Sequence, residues 1–244
     1  MPTVKPRPKS KPVPKPRKAA PLFATMGELL DRLGGITPHR VCADPPPGTA
    51  TLRDFTRRDG RSASGAMCEL IDRTLVEKSM GSEQTTLTMW IGHKLLNYLD
   101  EHPIAFVSGE TYPLLVAPGL VRSPDISVVL WESRPDGTIP VGPVARDVPA
   151  LAIEVISPSN TPGEMRRKLA HYFAAGVKVV WFVDPQKYSG AIYTSPEDVT
   201  LLDETGVLTA ESVLPGFTLP LSVVFAQMPK PAAKKRKPKP PPAP

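Results

Sequence analysis

The chain has 244 residues, with 30 Lys and Arg against 24 Asp and Glu, 32 prolines and two cysteines. Cys42 and Cys68 show neither CxxC nor zinc-like spacing, which excludes a disulfide scaffold or structural zinc site and fits a reducing cytoplasm. No apolar run approaches the roughly 20 residues of a membrane span, and the proline-broken, Lys-rich start lacks the apolar core of a signal peptide.

Residues 1–20 alternate proline with seven basic residues (Lys5, Arg7, Lys9, Lys11, Lys15, Arg17, Lys18), and residues 229–244 carry six more (Lys230, Lys234, Lys235, Arg236, Lys237, Lys239). Both ends read as disordered, polyproline-like tails. Setting these thirteen apart leaves 17 basic against 24 acidic side chains, so the intervening chain has a formal charge of −7 between arms of +13. An acidic body with basic arms suits non-specific electrostatic recruitment of nucleic acid, although solubilising tails have the same composition. Lys234-Lys235-Arg236-Lys237 has the look of a nuclear import signal, but nothing else in the chain supports that address.

Between the tails, residues 22–66 read as one short amphipathic helix over 27–33, closed by Gly34-Gly35, followed by a long Pro- and Gly-containing connection. The main domain is expected over 67–226. It opens with two short strands around a turn at Asp72-Arg73. From Glu83 to Leu99, Leu87, Ile91, Leu95, Leu96 and Leu99 recur at helical spacing and predict the first core helix. Strand-like segments follow at 104–107, 112–116 and 125–131, then a Pro-, Gly- and charge-rich loop over 132–148, suited to substrate contact or variation. Leu151 to Ser157 is an apolar strand interrupted by Glu154. Thr161-Pro162-Gly163-Glu164 has the capping-box pattern of a helix start, Gly176 is placed to end that helix, and 177–183 is a buried strand ending at Asp184-Pro185. Residues 190–222 read as short strands and turns forming an appended hairpin. The strand–helix–strand unit over 151–183 implies a parallel crossover, and the closely spaced strands before it imply antiparallel pairing, so the fold class is α/β with a mixed sheet flanked by helices.

An ionised carboxylate in a buried strand costs several kcal/mol unless it is protonated, paired or bound to a metal. Strand alternation places Ala152, Glu154 and Ile156 on one face. Asp125 opens a second apolar strand, and Lys168 borders the apolar stripe of Met165, Leu169, Tyr172 and Phe173 on the following helix, with Arg167 facing solvent. Two carboxylates from adjacent strands and a nearby ammonium suit metal-assisted phosphodiester hydrolysis: hard oxygens hold Mg²⁺ or Mn²⁺, and the lysine orients or deprotonates water.

With Cys68-Glu69-Leu70-Ile71-Asp72, Pro124-Asp125, Ala152 to Asn160, Lys168 with Tyr172, Ala175-Gly176-Val177 and Trp181 to Pro185 in this order, the chain resembles the Uma family, a domain-of-unknown-function group of restriction-endonuclease-like proteins in the PD-(D/E)xK nuclease superfamily. The similarity spans about residues 22–226. It implies a restriction-endonuclease-like αβββαβ core, with Asp125 and Glu154 as metal ligands and Lys168 as the catalytic lysine. The superfamily's usual lysine position, two residues after the acid, holds Ile156, so Lys168 would act from the helix instead. The resemblance also implies an additional acid from the first core helix, for which Glu83 and the slightly earlier Glu77 are available beside Gln84. Its substrate would be nucleic acid, DNA first. Dimers are common in the superfamily, which makes a homodimer an open expectation.

Blander readings stand beside these. Glu154 and Asp125 could be a buried ion pair and a strand-end cap. Lys168 could form an (i, i+4) surface salt bridge with Glu164. Tyr172 reads as a packed aromatic with a hydrogen-bonded hydroxyl that could orient Lys168, and His171 and the other histidines read as ordinary. Ser157 and Ser159 lack the Gly-x-Ser-x-Gly elbow of a serine hydrolase.

Overall fold

Asp72 and Arg73 both adopt positive φ, 47° and 55°, the backbone of a tight two-residue hairpin turn. They join β1 (Cys68–Ile71) to β2 (Thr74–Glu77), as the sequence predicts. The computed structural model describes residues 22–79, 81–226 and 228, so both basic tails lie outside the described residues. Ahead of the hairpin come α1 (Met26–Arg32) and α2 (Leu52–Arg57), each with a threonine N-cap. The stretch 22–66 is more than a helix and connection. Leu29, Leu33, Ile36 and Phe55 are buried, Val41 bridges to Val76, and the Arg40 guanidinium grips the Glu164 carboxylate through two bonds of 2.9 and 2.7 Å.

The long helix α3 (Ser82–Glu101) buries Leu87, Ile91, Leu95 and Leu99, one residue per turn. It leads into β3 (Ala105–Gly109), β4 (Leu114–Ala117), β5 (Leu120–Arg122) and β6 (Ile126–Leu130). After the 132–148 loop, whose Arg134 is tied to Asp147 at 2.6 Å and to Asp136 at 3.0 Å, comes β7 (Leu151–Val155). The helix α4 (Pro162–Ala175) starts with the Thr161 hydroxyl accepting from Glu164 N–H at 3.0 Å and ends at Gly176 with φ 102°. The Glu164 carboxylate does not close the expected capping box; it is taken by Arg40 and by the Asn160 amide. The chain continues through β8 (Val179–Asp184), β9 (Ser189–Tyr193), β10 (Val199–Leu202), β11 (Val207–Thr209), β12 (Thr218–Pro220) and α5 (Leu221–Phe225).

The strands form a mixed six-stranded sheet, ordered β10-β9-β8-β7-β6-β3 and parallel only at β7–β8, and a four-stranded antiparallel sheet, ordered β2-β1-β5-β4. The second sheet was not anticipated from sequence, because its member β5 is only three residues long. The C-terminal hairpin is an extension of the large sheet by β9 and β10, followed by the β11–β12 ribbon and α5.

The large sheet has two different faces. Leu151, Ile153 and Val155 of β7 pack with Trp181, α3 and α5 in the main core. Ala152 and Val180, on the other face, pack against Leu114 of β4 and Leu169 and Tyr172 of α4. Side-chain alternation sends Glu154 to that second face, into the space between the two sheets and α4.

Candidate active site

β6 and β7 pair antiparallel, with Ile126 opposite Ile153. One step further along this register Asp125 stands opposite Glu154, and opposed residues project to the same face. Asp125 also caps the ladder, its Oδ2 accepting the Val155 N–H at 2.7 Å. The two sequence-predicted acids are therefore brought together, both almost fully buried at 4% and 3% exposure.

Lys168 lies inside, with its Nζ 2.8 Å from Glu154 Oε2 and 3.8 Å from Glu69 Oε1. The (i, i+4) surface pair with Glu164 does not form, because Glu164 is committed to Arg40. Tyr172, fully buried, donates its hydroxyl to Glu154 Oε1. Arg167 is less exposed than expected: it is half-buried and reaches Asp72 at 3.3 Å.

Sequence reasoning missed three members of the site. Glu69 of β1 accepts from Arg122 Nη1 at 2.6 Å and from Ser123 N–H at 3.1 Å. Arg122 of β5 also donates from Nε to His171 Nδ1 at 3.0 Å, so His171 is tied into the network. Lys78, immediately after β2, donates to Ser123 O at 2.6 Å and to Asp125 Oδ1 at 2.8 Å. Glu69 carried the same signal as Glu154, an acid inside an apolar strand. Lys78 and Arg122 carried none, since their partners stand 47 and 53 residues away.

Burial and charge set the protonation states together. Burial pushes the Glu69 carboxyl up, but Lys168 and Arg122 outweigh it and hold the group down at about 2. For Glu154 burial dominates, and with the like charge of Asp125 it keeps the carboxyl above its ordinary value despite Lys168. Burial would deprotonate Lys168, yet Glu154, Glu69 and Asp125 raise it above the usual lysine range, so it is an ammonium. Lys78 is raised likewise, chiefly by Asp125 against burial. Burial and the adjacent Glu154 raise the Tyr172 phenol well above its ordinary value, so it stays a donor.

The donor set suits a hard divalent cation in kind. Asp125 and Glu154 offer carboxylate oxygens that keep lone pairs beyond their single hydrogen bonds, and the buried Glu110 Oε2 and Ser123 Oγ have no hydrogen-bond partner. Among the described residues, no three His, Cys, Asp or Glu side chains converge as a metal cluster. No hydrogen bond or ion pair joins Glu77 or Glu83 to Asp125 or Glu154. Glu77 instead accepts from the Ser64 hydroxyl at 3.0 Å, and α3, which carries Glu83, packs on the opposite face of the large sheet. Gln84 is the α3 side chain that reaches the vicinity, donating to Ile156 O at 3.4 Å.

Comparison with known proteins agrees with this architecture. A crystal structure described as "a putative nuclease belonging to DUF820" from Anabaena variabilis ATCC 29413 superimposes with a TM-score of 0.62 at 19% identity, covering 72% of this chain and 97% of that one. No curated protein matched. The family model described as "Putative restriction endonuclease" matches residues 52–222, a span that holds Glu69, Lys78, Asp125, Glu154 and Lys168. With a mixed α and β restriction-endonuclease-like fold and most of its length matched, the chain belongs to the Uma2 family.

Proposed function

We propose that this protein is a metal-dependent endonuclease that hydrolyses phosphodiester bonds, with DNA as its substrate. The observation that carries this reading is the juxtaposition of Asp125 and Glu154 on adjacent strands, with the Lys168 ammonium 2.8 Å from Glu154. Asp125 and Glu154 would hold Mg²⁺ or Mn²⁺, which when bound supplies Lewis acidity toward a phosphoryl oxygen.

The chain's own residues do the rest. Lys168 is held protonated, so it acts as a positive charge toward the reacting phosphate and not as the base that takes a proton from water. Tyr172 and Lys168 each donate to one Glu154 oxygen and fix the carboxylate's orientation. Glu69 anchors Arg122 and attracts Lys168 from the second sheet. The domain unit would be 67–226, built together with 22–66. The basic arms 1–20 and 229–244, among them Lys5, Arg7, Lys9, Lys11, Lys234, Lys235, Arg236 and Lys237, would tether this acidic body to the polyanion. Cutting both strands of a duplex calls for two sites, which a homodimer would supply. Among the described residues, no helix is long and apolar enough to cross a membrane.

A second reading, a nuclease fold that binds nucleic acid without cutting it, is favoured by one observation: all four oxygens of Asp125 and Glu154 are already engaged by protein donors. The test is Mg²⁺- and Mn²⁺-dependent cleavage of mixed DNA and RNA substrates by wild type, Glu154→Gln and Asp125→Asn. The first reading expects DNA cleavage that disappears in both folded variants. Salt-sensitive binding without cleavage or metal uptake would refute it and support the second.

A further inference from the structure

The Lys78 ammonium sits in a setting built from the donors that hard cations take. Its Nζ lies 2.6 Å from the Ser123 carbonyl oxygen, 2.8 Å from Asp125 Oδ1 and 3.9 Å from Glu110 Oε2, and its side chain is 4% exposed. A backbone carbonyl and two carboxylates around one positive charge make an all-oxygen shell. We infer that Lys78 is a built-in stand-in for the divalent cation at Asp125, and that metal enters this site by exchanging with the Lys78 ammonium. The inference rests on the reading of Asp125 and Glu154 as metal ligands.

Charge balance carries the argument. The buried site holds three carboxylates, Glu69, Asp125 and Glu154, and three cations, Lys78, Arg122 and Lys168, with the Glu110 carboxylate 3.9 Å from Lys78 as a fourth acid. A divalent ion held by Asp125 would lie beside the Lys78 ammonium, which stands 2.8 Å from the same carboxylate, in a space where like charges repel strongly. One cation must leave. Arg122 is fixed by Glu69 and His171, and Lys168 by two carboxylates of the interior. Lys78 is different, because it is the cation bonded to Asp125 itself, and its third neighbour, Glu110, has a side chain that is 31% exposed although the Oε2 facing Lys78 is buried. A divalent ion carrying one phosphodiester charge has the same net charge as the ammonium it displaces. Exchange therefore leaves the net charge unchanged when metal and phosphodiester arrive together, and raises it by one when metal arrives alone.

Mn²⁺ binding to the full chain, measured by titration calorimetry on wild type, Lys78→Met, Lys78→Arg and Asp125→Asn, tests this. Lys78→Met should bind Mn²⁺ at least tenfold more tightly than wild type. Lys78→Arg, which keeps the charge, should show no gain. Equal affinity in wild type and Lys78→Met, with binding lost in Asp125→Asn, would overturn the exchange and leave the metal site standing. Absence of binding in both wild type and Lys78→Met would remove the two ideas together. A measurement on wild type guards against a poorly folded variant. The ¹⁵N ammonium resonance of Lys78, protected by burial, should lose that protection when Mg²⁺ is added with a short non-hydrolysable phosphorothioate oligonucleotide, and unchanged protection would count against the exchange.

Discussion

Replacing Lys168 with Met removes the charge that holds Glu154 while nearly preserving the volume, so the cavity contribution is small. In the native site Nζ is 2.8 Å from Glu154 and 3.8 Å from Glu69, at 3% residue exposure. Glu69 would keep Arg122 and the Ser123 N–H, but Glu154 would retain only the Tyr172 hydroxyl. The penalty falls on Glu154. Removing one partner of a buried ion pair costs about 3–5 kcal/mol. At roughly 2–4 °C per kcal/mol for a domain of this size, the melting temperature should drop by about 10 °C. Adding Glu154→Gln removes the orphaned charge, so the double variant should be more stable than Lys168→Met alone and lie within about 2 kcal/mol of wild type. Urea denaturation of the wild type, both single variants and the double variant gives the coupling. A Lys168→Met cost below about 1 kcal/mol, or strict additivity, would refute the claim that these charges form one electrostatic unit.

His171 should impose a pH dependence. Burial and the charges of Arg122 and Arg167 hold its imidazole down at about 4, so as pH falls the unfolded chain binds this proton first. Stability is complete above the ordinary histidine value and is lost as pH falls from about 6.5 toward 4. The ring is only partly buried, so screening reduces the loss to about 1–2 kcal/mol. The difference in unfolding free energy between wild type and His171→Gln should change over that window, and a flat difference would contradict the assignment. Gly163→Ala should destabilise, because a Cβ there would lie 2.5 Å from the Gly34 carbonyl oxygen, a backbone atom. Overpacking of about 2–3 kcal/mol should exceed the roughly 1 kcal/mol that alanine gains in a helix, and an unchanged denaturation midpoint would show that α1 can move away.

The sequence made α4 legible because its signals are local: Thr161 caps, Pro162 opens and Gly176 closes. The β1–β2 turn and the Glu154 strand were readable for the same reason. Local signals failed where partners are distant. Lys78 lies in the polar run Glu77-Lys78-Ser79, and nothing in that run points to Asp125. Lys168 could be placed at the edge of an apolar stripe, but its burial depends on Glu69 arriving from another sheet. Glu83, offered beside Glu77 as an additional acid, stands on α3, which spends its apolar face on Leu151, Ile153 and Val155, across the sheet from Glu154.

That two-faced sheet bears on why the charges are there at all. The main core and the apolar cluster around Ala152, Leu169 and Tyr172 already supply hydrophobic contacts to both faces of β7. A buried ion pair is no more stabilising than well-packed apolar residues of similar volume, and often less so. Six charges packed between β1, β5, β6, β7 and α4 are therefore a poor choice for holding two sheets together. They are a suitable choice for receiving a charged group, because each carboxylate is fixed by a donor on a rigid element and each cation by an acceptor. A phosphodiester entering such a site would meet dipoles and charges that need little rearrangement, apart from Lys78. On this argument, an all-apolar replacement of Glu69, Arg122, Lys168 and Glu154 should keep the fold and abolish nucleic-acid chemistry.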